Sequence, residues 1–156
     1  FHALYGTPTV ILRPYMTYGP AQDSRKLIPS VILSLLEGNP PQLSSGQWQA
    51  DWIYVDDVTE GFLAAAEHPN IDGCTLDLGS GRLMSVRAVV ERLIAIMCPS
   101  VKPIFGSLPD RPHEPQRAAN IAESQARLGW GAATPLEVGL LRTVEWYSAH
   151  RKAVNG

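Results

Sequence analysis

Few residues in this 156-residue chain have the types and spacing that chemistry needs. Gly79-Ser80-Gly81 begins like a loop that cradles a phosphate on backbone amides. Met84 stands where a third glycine belongs, and no acidic residue follows about 20 positions on, so a tight strand-to-helix turn is expected instead. Ser80 is not a nucleophile at an elbow, because Leu78 occupies the first glycine position of that pattern. Asp56-Asp57 pairs two carboxylates at a helix start, where they are expected to cap amides rather than hold a metal. His2, His68, His113 and His150 lack ligand spacing, so no metal site and no catalytic nucleophile–base pair is expected. The guanidinium of Arg111 suits phosphate or carboxylate, and it lies in a proline-stiffened loop with Glu114 three residues on. Trp52 and Tyr54 are expected in the core, near Trp48.

The elements that must position these residues alternate. Val10–Leu12, Trp52–Val55 and Thr75–Leu78 are β-branched or apolar runs bounded by turn residues and predict buried strands. Val101–Phe105 predicts a fourth, edge strand, since Pro103 interrupts it. Leu27, Ile28, Val31, Ile32, Leu35 and Leu36 mark one apolar helical face, with Pro29 tolerable only in the first turn. Asp57 with Glu60 predicts a capping box opening a helix through Ala66. Ser85 is expected to cap a helix with apolar face Val86, Val89, Val90, Leu93, Ile94 and Met97. Asn120 and Gly129 bracket a short helix, and Thr134 with Glu137 predicts a capping box for a helix through Leu140, Val144 and Tyr147. Strand, helix, strand, helix predicts an α/β domain with parallel pairing. The irregular segment Leu108–Arg117 is long enough to suggest function.

Composition narrows the classes. Apolar residues make up 45% and charged residues 18%, too apolar for a disordered chain. The net charge of −2 and the lack of a basic run argue against a nucleic-acid partner. No apolar stretch approaches the ~20 residues of a membrane span, and the sparse cysteines lead to the expectation of a cytoplasmic protein. Cys74 and Cys98, 24 positions apart, are expected to be a buried, reduced pair. The opening Phe1-His2-Ala3-Leu4 reads like the tail of a helix, as a fragment would.

Five segments together resemble a known family. Leu12-Arg13-Pro14-Tyr15-Met16-Thr17-Tyr18-Gly19-Pro20 is similar to the LRP-x-N-x-YGP segment of extended short-chain dehydrogenases. Asp51–Val58 is similar to their RD-[FW]-I-[YH]-V-x-D-V segment. Asp77-Leu78-Gly79-Ser80-Gly81 resembles an N-x-G-[ST]-G turn with Asp in place of Asn. Arg111–Pro115 resembles an RPG-[DE]-P loop, and Leu128-Gly129-Trp130, Gly139-Leu140 and Trp146 resemble an LGW…GL…W ending. Order and spacing agree across nearly the whole chain. The family is the NAD(P)-dependent nucleotide-sugar epimerases and dehydratases.

The resemblance covers that family's C-terminal half. It implies the C-terminal part of a Rossmann-like parallel sheet plus a small substrate-binding α/β subdomain. Residues 1–156 would then be the substrate-binding portion, with the dinucleotide-binding half that carries GxxGxxG absent. The family's YxxxK pair is absent too: the residues four after the tyrosines are Thr9, Gly19, Gln22, Val58 and Arg151. No catalytic residue is therefore expected here. Pro14 and Tyr15 would line the nicotinamide end of the cofactor site. Met16, Lys26, Leu27, Gln42, Ser44, Arg111 and Glu114 would meet the nucleotide-sugar substrate. NAD or NADP would serve the complete enzyme, with neither expected to bind tightly to this chain alone. The partners implied are the missing half or a second copy. Met16 replaces the family Asn and Ala50 replaces an Arg; losing one charged contact would weaken nucleotide binding roughly 10- to 100-fold, which Gln49 or Arg117 could offset. The alternative expectation is a non-catalytic, self-associating binding module.

Overall fold

The computed structural model describes residues 2–110 and 115–154, the last four as backbone alone. The short helix α1 (His2–Tyr5) leads into strand β1 (Ile11–Pro14). β1 does not end the extended run: after Tyr15 the chain continues as β2 (Met16–Tyr18). Pro14 brings no N–H to a ladder, and the chain changes sheets here. β1 pairs in parallel with β5 (Thr75–Leu78), Arg13 standing opposite Asp77. β2 pairs in parallel with β4 (Gln49–Tyr54), Met16 opposite Trp52. β6 (Leu83–Ser85) runs antiparallel to β4, an extension the turn residues before it did not announce. β3 (Gln42–Leu43) and β7 (Ile104–Phe105) form a third, two-stranded parallel sheet, so the strand expected at Val101–Phe105 shrinks to two residues beyond Pro103.

The helices follow their apolar periods. α2 (Leu27–Leu36) starts two residues before Pro29, which sits harmlessly in the first turn. α4 (Val86–Met97) is capped as expected, the Ser85 hydroxyl accepting the Ala88 amide at 3.2 Å. α2, α4 and α6 (Leu136–Val154) pack together over β4, enclosing Ile28, Ile32, Val90, Leu93, Leu140 and Tyr147. Trp52 and Tyr54 belong to this core. A second core lies between α3 (Val55–Glu67), β5 and α5 (Ile121–Leu128), built on Ile53, Val58, Leu76, Leu78 and Trp130. Gly129 ends α5 in the left-handed conformation, φ 62°, which favours glycine.

Three expected caps are replaced. α3 begins at Val55, so Asp57 lies inside its first turn and caps another segment. Its carboxylate accepts the Ala133 and Thr134 amides at 3.2 and 3.1 Å and the Thr134 hydroxyl at 3.1 Å. The Thr134–Glu137 box is thereby displaced, and Glu137 instead pairs with Arg92 at 2.9 Å. Asn120 makes no side-chain cap; its backbone N–H goes to Asp77. At Thr134 the remote Asp57 carboxylate takes the amide that Glu137 of the box would have accepted, and a charged acceptor binds such donors strongly. The cysteines are free, as expected, but both are half-buried rather than fully enclosed.

Candidate functional site

The bend between β1 and β2 forms one wall of an open cleft of about 290 Å³. Arg13, Pro14, Tyr15 and Met16 line that wall; Trp48, Gln49, Ala50 and Asp51 at the start of β4 line the floor; Pro115 and Arg117 close the far side. The β2–β4 pairing joins the first two of these segments, and the Ala119 and Asn120 amides, held by Asp51 and Asp77, anchor the chain just after the third.

Two buried carboxylates hold this arrangement. Asp51 accepts the Ser80 amide and hydroxyl at 2.7 and 2.6 Å, and the Gly81 and Ala119 amides at 2.9 Å each. Gly79-Ser80-Gly81 is therefore a turn clamped onto β4 that leads into strand β6 rather than straight into the expected helix, and its Ser80 and Gly81 amides are committed to protein. Gly79 leaves no room for a side chain: a Cβ there would stand 2.8 Å from Asp51 Oδ2. Asp77, 4% exposed, accepts Arg13 Nε at 2.7 Å, the Tyr15 hydroxyl at 3.1 Å and the Asn120 amide at 2.9 Å. Burial alone would raise the Asp77 carboxyl, but the hydrogen bonds from Asn120, Arg13 and Tyr15 prevail and hold it below the ordinary carboxylate value. The Tyr15 hydroxyl is pushed up, first by burial and then by Asp77. Tyr15 therefore stays protonated near neutral pH and is not a base.

Among the described residues, three charged side chains line the cleft, and two are engaged. Arg13 is offset by Asp77, and Asp51 by its four donors. Among the described residues, Arg117 has no such carboxylate partner. Trp48 Nε1 is the one buried side-chain nitrogen or oxygen with no hydrogen-bond partner among the described residues, and Trp48 lines the same cleft.

Of the residues expected at a site, the structure brings Pro14, Tyr15 and Met16 together. Gln42 lines a separate hollow beside Ser30, Ser34 and Asn39. Lys26 is exposed before α2, Leu27 packs against the core, and Ser44 is half-buried beyond β3. None of these four borders the cleft. Arg111 and Glu114 lie outside the described residues. Sequence reasoning missed Arg13 and Trp48 as site residues; the position of Arg13 one residue before Pro14 was the available signal. No three His, Cys, Asp or Glu side chains come together as a metal site needs among the described residues. Nor is any helix among them long and apolar enough to cross a membrane.

The chain is 33% identical to a dTDP-glucose 4,6-dehydratase of Salmonella typhimurium, over 97% of this chain and 44% of that protein. It is 34% identical to dTDP-glucose 4,6-dehydratase 1 of Escherichia coli K12, with the same coverage. The chain thus spans about half the length of the curated relatives it matches. Its fold superposes on a UDP-glucose 4-epimerase from Thermotoga maritima, solved with UDP-glucose, with a TM-score of 0.87 and 26% identity over 96% of this chain and 49% of that one. It also superposes on a dTDP-glucose 4,6-dehydratase from Bacillus anthracis, solved with NAD, with a TM-score of 0.88 and 26% identity over 97% and 48%. The profile described as "NAD dependent epimerase/dehydratase family" matches residues 1–78, half of the chain, and with it the chain belongs to that family.

Proposed function

We propose that residues 1–156 form the substrate-binding portion of an NAD(P)-dependent nucleotide-sugar epimerase or dehydratase. The observation that carries this reading is the cleft that joins Pro14, Tyr15 and Met16 to Arg13 and Arg117. A wall of proline, methionine and aromatic groups beside a guanidinium that has no carboxylate partner among the described residues suits a ligand with an uncharged ring and an anionic group. A nicotinamide cofactor, when bound, would accept a hydride from the sugar and return it. The residues present fit one end of such a cofactor only: Pro14 and Tyr15 would border its nicotinamide. Met16, Lys26, Leu27, Gln42, Ser44, Arg111 and Glu114 would serve the nucleotide sugar, with Arg111 gripping the diphosphate as a fork. The dinucleotide-binding half would pair with the open edge of β1. What supports this is that β1 has only β5 as a neighbour among the described strands and exposes Ile11.

The test is calorimetry and turnover on the natural polypeptide that carries this sequence, with dTDP-glucose, UDP-glucose, NAD and NADP. Binding of a nucleotide sugar, with turnover that needs the cofactor, is expected. The 156 residues alone are expected to give no turnover, since no tyrosine here has a lysine four positions on. Absence of nucleotide-sugar binding, together with self-association through the β1 edge, would favour the non-catalytic module instead.

A further inference from the structure

The Tyr15 hydroxyl has one proton and two lone pairs. Its proton is committed to Asp77 Oδ2 at 3.1 Å. Asp77 is buried, and as an ionised carboxylate it only accepts. It cannot turn away, because Arg13 Nε and the Asn120 amide pin its two oxygens at 2.7 and 2.9 Å. The direction of the Tyr15–Asp77 bond is therefore fixed. Tyr15 lines the cleft, so a ligand there that reaches its hydroxyl meets only the remaining lone pairs of that oxygen. An asparagine at position 77 would not impose this, since its amide can also donate and free the hydroxyl proton for the cleft.

We propose that Asp77 is a positioning residue that makes Tyr15 an obligate hydrogen-bond acceptor, so that the cleft selects a ligand presenting an N–H or O–H donor there. This rests on the proposed nucleotide-sugar and cofactor reading, which supplies two sources of that donor. One is the carboxamide of a nicotinamide; the other is a sugar hydroxyl. Tyr15 then recognises without exchanging a proton with the ligand, because giving up its own would break the bond to Asp77.

The experiment compares isosteric ligand pairs by calorimetry on the natural polypeptide. NAD is set against its acetylpyridine analogue, in which a methyl group replaces the amide nitrogen. dTDP-glucose is set against monodeoxyfluoro derivatives, in which fluorine cannot donate. One neutral hydrogen bond predicts a preference for the donor-bearing partner of roughly threefold to tenfold. Tyr15→Phe is expected to bring the ratio close to one in whichever pair meets Tyr15. Collapse in the cofactor pair identifies the carboxamide, and collapse in the sugar pair identifies a hydroxyl. Asp77→Asn is expected to shrink the same ratio; a merely structural role for Asp77 would weaken both members of a pair alike and leave the ratio intact. Ratios unchanged in Tyr15→Phe overturn the inference alone. Failure of the unaltered protein to bind NAD or any nucleotide sugar overturns the proposed function and the ligand assigned to Tyr15 with it.

Discussion

The Asp51 carboxylate takes both the amide and the hydroxyl of Ser80, at 2.7 and 2.6 Å, across 29 residues of sequence. The same carboxylate takes the Gly81 and Ala119 amides and is 1% exposed. One side chain thus ties the floor of the cleft to the turn after β5 and to the approach of α5.

Asp51→Ala is expected to cost about 3 kcal/mol or more, because it leaves several buried donors without an acceptor. Asp51→Asn is expected to cost nearly as much. An amide has one acceptor oxygen, and its nitrogen would face N–H groups. Urea denaturation of the three proteins checks this, and an Asn variant as stable as the parent would refute the account.

Gly139 lies in the first turns of α6, directly against the Tyr18 hydroxyl that donates to the Leu136 carbonyl at 3.2 Å. A Cβ at 139 would overlap that hydroxyl and stand 3.0 Å from Tyr54 Cδ2. In an open helix Gly→Ala gains about 1 kcal/mol. Here overpacking of about 1–3 kcal/mol offsets that gain, because both rings are held in the core. Gly139→Ala is expected to lower Tm, and a raised Tm would contradict the packing described.

The Asp77 carboxyl is held below its ordinary value in the folded state. A depressed folded value means stability that is present above the unfolded value of about 3.9 and lost as pH falls through the folded one. The advantage of the parent over Asp77→Asn is therefore expected to be full at pH 7 and to shrink below about pH 4. Denaturation curves at both ends of this range measure it. An advantage that grows on acidification would have the wrong sign.

Arg117 lines the cleft with no carboxylate partner among the described residues, whereas Arg13 is engaged by Asp77. Arg117→Ala is expected to weaken nucleotide-sugar binding roughly tenfold, with a smaller loss at high salt, while Tm changes little. Arg117→Lys should restore part of the affinity but not the bidentate geometry. Equal affinity in the parent and Arg117→Ala would exclude this arginine as the anion's partner.

The sequence by itself determined the local elements. The apolar spacing of Leu27–Leu36 and Val86–Met97 marked two helices, and Ser85 marked a start. The run at Thr75–Leu78 was a complete strand, and Gly129 marked an end. These signals lie within one or two turns of chain, so they survive without knowledge of the rest. The five family segments also lie in the sequence, and they pointed to Pro14, Tyr15 and Met16. Only the tertiary structure decided where the buried carboxylates go. Asp57 looked like the cap of its own helix but accepts amides 76 and 77 residues away. Asp77 was legible only as a strand position before a turn, but it receives Tyr15 from 62 residues away. Lys26, Leu27, Gln42 and Ser44, legible only by family likeness, fall away from the cleft that forms. A carboxylate's partner is chosen by which donors packing brings within about 3 Å. Many of those donors are backbone amides, which every residue but proline carries and no sequence pattern distinguishes.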